Sequence, residues 1–397
     1  EDYTLNNLNN RIHTTKDIIG HLEYISKSAN SINTNFIYKK RLKSKNQLGK
    51  QYDYSLLDLD MGTFGSNDNF RWEINFKREE ILSQKMALVY DSLGIGLGNY
   101  RYDKTFNTYI SDPNGAFISY NVYTGDMTQN TSIKGTQKLF LDLFKSSRKY
   151  SLSIRNISRQ EFQGFSTPTI KKLLKSNIND STLVKSDLFN RLEIFYVNKN
   201  NLSLWYEISK DLNGYDPRGN DLKEEWEIGG KNNLSISEIR SLNTNFKIRS
   251  YDIDSKVSDS RKRSAQGWWI DSQFRHSFDD TYYIDLGILA GTDVGLQQLN
   301  KFHANAIGIK LSSTILFRKS GRFNFEASLV NVTERDDREY LPPETLNGYP
   351  LGISFKTNSR FQYFLGNNTS IILSMATIDD IRYDNFISIN GEIRAYF

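Results

Sequence analysis

The chain has 397 residues with no cysteine and 4 methionines, so neither a disulfide framework nor a thiolate metal site can form. Its 51 Lys and Arg stand against 46 Asp and Glu, a formal charge of +5 that is too balanced to imply nucleic acid as the partner. Aromatic residues are abundant (23 Tyr, 24 Phe, 5 Trp) and no uninterrupted apolar run reaches 18 residues, which excludes helical membrane spans and favours many short strands.

Residues 1–31 show no clear alternation. They begin at Glu1 without Met or an apolar leader, and are expected to lead from a missing upstream region into the first strand. The remainder, 32–397, reads as one β domain. Its first clear strand places Phe70, Trp72, Ile74 and Phe76 against Arg71, Glu73, Asn75 and Lys77. Residues 79–137 then separate two strands by far more than a turn needs, and are expected to form an inserted loop or plug. Within them Gly94, Gly96 and Gly98 lack the G-x-G-x-x-G spacing of a phosphate cradle, so close backbone packing is the better reading. Asp112 and Asn114 beside Gly115 lack the twelve-position loop of a calcium site and read as a plain turn.

Weaker strands follow around Tyr150–Ile154, Leu192–Tyr196, Leu202–Ile208 and Trp226, with a short helix expected at Thr169–Ile178. From there period 2 is sustained: Leu242, Phe246 and Ile248; Trp268, Ile270 and Phe274; Tyr282, Ile284, Leu286 and Ile288; Ile307, Ile309, Leu311, Ile315 and Phe317. The face opposite the last of these carries Lys310, Ser312, Thr314 and Arg318. Phe323, Phe325, Ala327 and Leu329 continue the pattern, as do Ile353, Phe355, Phe361 and Tyr363, then Ile371, Leu373 and Met375. The chain ends on Ile387, Ile389, Gly391, Ile393, Ala395 and Phe397, alternating with polar residues.

Connections alternate in length. Tight ones fall near Ser146–Arg148, Asn198–Asn200, Asp279–Asp280, Lys319–Gly321 and Gly366–Asn368, and long ones near 158–185, 210–223, 254–266, 293–303 and 334–351. That asymmetry, with long amphipathic strands, predicts a transmembrane antiparallel up-and-down β-barrel of about 16 strands, range 14–18, with short periplasmic turns and long extracellular loops. Such a wall belongs in a bacterial outer membrane, with lipid and lipopolysaccharide as its surroundings.

The last segment resembles the C-terminal assembly signal of outer-membrane barrels, which implies that Ile387, Ile389, Gly391, Ile393, Ala395 and Phe397 are read by the barrel-assembly machinery during insertion. More widely, GNYRYDKTFNTYISDPNGAF (Gly98–Phe117), LPPETLNGYPLG (Leu341–Gly352) and the ending GEIRAYF resemble the C-terminal barrel of large uncharacterised surface proteins of Bacteroidota-like bacteria. This resemblance implies a location and a further N-terminal portion, and no activity.

No residues stand out as catalytic, cofactor-binding or metal-ligating. His13 and His21 lie in the lead, and His276 and His303 lie at strand ends, where interfacial histidines suffice as an explanation. Trp72, Trp205, Trp226, Trp268 and Trp269 suit aromatic girdles, and Arg261, Lys262 and Arg263 could meet lipopolysaccharide phosphates from a loop. The function expected is a non-enzymatic channel or translocation and anchoring domain. The alternatives are a plugged barrel that anchors a surface or periplasmic protein partner, and an outer-membrane lipid hydrolase dependent on His276 or His303.

Overall fold

The computed structural model describes residues 2–5, 11–25, 31–43, 53–65, 69–144, 151–165, 177–180, 182–198, 200–215, 219–297, 301–317, 320–336, 338–365 and 369–395. It is nearly all β, with 20 antiparallel strands in one sheet. In chain order these are β1 (Asp2–Leu5), β2 (Arg11–Ile25), β3 (Ser31–Lys43), β4 (Asp53–Phe64), β5 (Phe70–Ser92), β6 (Tyr100–Asp103), β7 (Thr108–Ser111), β8 (Phe117–Phe144), β9 (Ser151–Gly164) and β10 (Leu183–Val197). They continue as β11 (Asn201–Asn213), β12 (Asp221–Ser237), β13 (Arg240–Ser255), β14 (Arg263–Ser277), β15 (Tyr282–Gly295), β16 (His303–Phe317), β17 (Gly321–Glu334), β18 (Gly352–Leu365), β19 (Thr369–Asp380) and β20 (Tyr383–Ala395).

Each strand pairs with its sequence neighbour, except that β5 pairs directly with β8 and the β6–β7 hairpin stands off the wall. Setting that hairpin's 2 strands aside from the 20 leaves 18 in the wall, the upper end of the expected range. From β9 onward the strands run from 12 residues in β19 to 17 in β12, enough to cross a bilayer when tilted.

Two boundaries differ from the sequence reading. The 1–31 stretch is no separate lead, because β1 and β2 pair with each other and β2 with β3. Ile18 beside Ile19 breaks the alternation there, so the strand leaves no period-2 signature. Likewise most of 79–137 is strand: β5 and β8 stay paired out to Ser92 and Phe117 as a long two-stranded ribbon, and the true insertion is 93–116. Runs such as Ala87–Tyr90 lack a polar alternate face, which hid the ribbon. The helix expected at Thr169–Ile178 lies mostly outside the described residues, as do the turn at Ser146–Arg148 and the last residue, Phe397.

Burial along the strands is inverted relative to a soluble sheet. On β15 and β16 the apolar Leu286, Ile288, Ile307 and Ile309 are 59–65% exposed, whereas Asp285 and Asp293 are buried at 6% and 2%. Ladder register aligns the exposed residues into rows, with Ile288 opposite Ile309, Ile309 opposite Leu329, and Leu329 opposite Phe355. A soluble protein hides such rows; a lipid-facing wall requires them. The reverse parity carries Lys310, Glu326, Lys356 and Arg360 with Gly287, Gly291 and Gly308. This is the polar inner face.

The connections keep the expected alternation from β8 to β19. Only Ile381 and Arg382 join β19 to β20 on the long-loop side, while residues 335–351 join β17 to β18. Charge on the outer face is therefore the disruptive substitution. Ile309→Arg should destabilise the protein in lipid vesicles by about 2–4 kcal/mol in urea titrations, with Lys310→Met on the inner face costing clearly less.

Candidate luminal plug

Two segments at the long-loop end fold onto the inner face and come together around Arg263 and the β19–β20 corner. One is the 335–351 connection; the other is the 93–116 insertion at the tip of the β5–β8 ribbon. Their contacts come from distant strands, so the sheet must curl around them.

The 335–351 segment is fastened at Glu344–Leu346. Arg263, at the start of β14, makes a two-pronged ion pair with Glu344, Nε to Oε2 at 2.9 Å and Nη2 to Oε1 at 2.7 Å. Arg249 of β13 donates to the Glu344 carbonyl at 2.8 Å and to Asp293 Oδ2 at 3.1 Å. The same Asp293 oxygen accepts from the Leu346 amide at 2.6 Å. Tyr251 and Thr345 share a hydroxyl hydrogen bond at 3.2 Å, and Leu346 is buried in an apolar cluster with Ala304, Ala306, Val330 and Val332.

This grip explains an unusual backbone. Leu346 and Asn347 have φ of 48° and 56°, a left-handed conformation that costs a non-glycine residue roughly 1–2 kcal/mol and therefore needs outside support. Gly348 continues the turn at φ 81° without that cost. Beyond it, Tyr349 stacks on inward-facing Trp269 at 5.9 Å between ring centres, and Lys356 of β18 sits 4.7 Å from the Tyr349 ring centre. Gly267 leaves the room Asp293 needs, since a Cβ there would overlap that carboxylate.

The ribbon tip reaches the lumen from the other side. Arg261 Nε donates to the Asn107 carbonyl at 2.7 Å while its Nη1 pairs with Asp221 at 2.6 Å, and Phe106 lies under the Arg263 guanidinium at 5.3 Å. Tyr383, the first residue of β20, donates to Asp112 Oδ2 at 2.6 Å. Arg382 donates to the Gly348 carbonyl at 3.2 Å and pairs with Asp380 at 2.7 Å, so the β19–β20 corner touches both inward segments. Two adjoining cavities of about 450 and 590 Å³ flank this contact, sharing Arg101, Pro343, Tyr349, Arg382 and Tyr383.

Several expectations change. Arg261 and Arg263 turn inward and are buried, paired with Asp221 and Glu344, which withdraws them from lipopolysaccharide. Trp226 and Trp268 face outward, but Trp205 and Trp269 are inside, Trp205 donating to Glu227 at 2.9 Å, which removes them from any girdle. Gly96 packs against the Phe386 ring, in keeping with close packing, and Asp112 accepts from the Asn114 amide in a simple turn. His276 lies edge-on to Phe278 beside the 278–281 turn, whereas His303 begins β16 at the opposite end of the wall, so the two histidines do not converge. Sequence reasoning missed the Arg263–Glu344 and Arg249–Asp293 pairs. Their only signal was charge on the inward parity near the ends of β13–β15.

No family model and no curated protein matches the chain. Among solved structures it is similar to the open form of the ferric-catecholate import receptor Fiu from E. coli K12, at 10% identity and TM-score 0.36, covering 96% of this chain and 71% of that one. It is also similar to a mutant Rh. blastica porin, at 9% identity and TM-score 0.31 over 96% and 100% of the chains. A third match is the Pseudomonas putida toluene transporter TodX, at 8% identity and TM-score 0.24 over 96% and 88%.

Glu344 provides a pH handle on the plug. Burial works to raise its pKa, but the Arg263 guanidinium outweighs this and holds the carboxyl below the usual glutamate range. A depressed folded pKa contributes docking stability above the ordinary value of about 4.3, and that stability is lost as pH falls through the folded value. The plug should therefore stay docked at neutral pH and loosen only in acid. Arg263→Gln strands a buried carboxylate, on the scale of about 3 kcal/mol, and should speed hydrogen exchange at the Leu346 amide about 100-fold at neutral pH.

Proposed function

We propose that this chain is an outer-membrane barrel that conducts small solutes through a lumen gated by the 335–351 segment and the 93–116 insertion. One observation carries the reading: toward the short-turn end the inner face is both polar and exposed, with Asn358, Arg360, Asn390, Lys138, Arg155 and Arg159 open to solvent. A packed anchor would fill that space with side chains, as the long-loop end does. The outer apolar rows support residence in the outer membrane of a Gram-negative bacterium, and the three quoted motifs support kinship with the surface-protein barrels of Bacteroidota-like bacteria.

Transport in this reading needs no bond-making step. Inward charges set which solutes enter, and loop geometry sets how fast they pass. Planar-bilayer recording is the direct test: the wild type should give small or intermittent currents, and removing residues 341–350 should raise single-channel conductance severalfold. Silence from both proteins, each correctly folded, would favour the second reading. In that reading the ion-paired plug makes the barrel a closed anchor for a surface or periplasmic protein, and the fastening at Glu344–Leu346 is what favours it.

The terminal stripe Ile387, Ile389, Gly391, Ile393, Ala395 and Phe397 is proposed as the signal for the barrel-assembly machinery. Ile387, Ile389 and Ile393 are 58–75% exposed on the outer face, available to be read. Deleting Phe397 should lower the amount of heat-modifiable protein in outer-membrane fractions several-fold while unassembled chain accumulates in the periplasm.

A further inference from the structure

The inner face of β8–β10 carries three exposed cations, Lys138, Arg155 and Arg159, with Glu73 directly across from Lys138 and Glu193 directly across from Arg155. Lys138 on β8 has Ile157 as its cross-strand partner, which places Arg155 and Arg159 of β9 on its two diagonals at about 7–8 Å. All three side chains are on the inward parity and solvent-exposed, and among the described residues none forms an ion pair. The acids facing them from the same and adjacent strands are engaged elsewhere. Glu73 turns to Arg71, Glu193 to Arg191 at 3.6 Å, and Glu161 to Lys134 and Lys185 at 3.1 and 2.6 Å. Asp142 stands on the other diagonal of Arg155 and Asp187 on a diagonal of Arg159, one at each end of the cluster.

Aromatic rings hold the arginines in place. The Arg155 guanidinium sits 4.5 Å from the Phe195 ring centre and 5.4 Å from that of Phe140, and Arg159 lies 5.2 Å from the Phe189 ring centre. Such stacking uses the flat faces of the guanidinium and leaves the N–H edges directed away from the ring. Three like charges on neighbouring diagonals repel one another, a cost that an anion bound between them would remove.

We propose that this patch is a luminal binding site for multivalent oxyanions, with Arg155 and Arg159 supplying oriented N–H donors and Lys138 a third positive charge. The inference deepens the channel reading, since it assumes that the β8–β10 inner face lines a solvent-filled lumen. Its chemistry selects solutes carrying two or more negative charges on phosphate or carboxylate groups, because a single charge cannot engage all three cations at once.

The test uses the full chain refolded in detergent and titrated with inorganic pyrophosphate in a calorimeter, alongside bilayer recording of the same protein. Saturable binding is expected, weakened about tenfold or more in Arg155→Gln/Arg159→Gln and by a smaller factor in Arg155→Lys/Arg159→Lys, which keeps the charge but loses the stacked donors, with heat-modifiable mobility confirming that each variant is folded. Absence of saturable binding, or equal binding by the Gln variant, would overturn the site. Pyrophosphate binding that requires the arginines in a protein passing no current would sink the channel reading and leave the site standing. Currents without such binding would do the reverse.

Discussion

Everything in this structure follows from the absence of water in hydrocarbon. A backbone N–H or C=O left without a partner there costs several kcal/mol, so a chain with no helical span can cross only as strands hydrogen-bonded to one another. The antiparallel ladders from β8 to β20 meet that demand, and their alternation sorts side chains by solvent: Ile288 and Ile309 outward, Asp285 and Lys310 inward. Register is pinned because a slip of one residue would expose every inner charge to lipid.

A wall that satisfies its backbone this way leaves a polar interior, and the chain divides that interior in two. At the long-loop end, the acids and arginines of β13–β15 are spent on the Glu344–Leu346 segment, with Trp269 and Tyr349 filling the space between. At the short-turn end, the inner face stays open and its charges remain accessible. A buried ion pair such as Arg263–Glu344 adds little net stability over an apolar contact, but removing one partner is costly. It therefore acts chiefly as a specific fastening for a segment that already bears backbone strain at Leu346.

How much of this was legible depended on whether a stretch has two different solvents on its two faces. Ile307–Phe317 and Ile387–Ala395 do, and their period-2 patterns point to the strands, their faces and the up-and-down order. The ribbon beyond the wall lacks a lipid side, so Ile81–Tyr90 shows no alternation and reads as a loop from sequence. Arg11–Ile25 was missed because Ile18 and Ile19 sit together. The plug was visible only as an unusually long connection. Which carboxylate meets which arginine there is set by long-range closure: Arg263 and Glu344 are 81 positions apart, and local spacing cannot encode that meeting.

The membrane wall depends on the direction in which alternate residues point. Single cysteines placed at Ile288, Ile309 and Leu329, and separately at the exposed inner positions Asn358, Arg360 and Asn390, can carry a fluorophore in protein folded into vesicles that contain brominated lipid. The account predicts strong quenching by the bromines for the first set and, for the second, weak quenching with ready access to iodide from the aqueous phase. Equal quenching of both sets, or the reverse pattern, would contradict it.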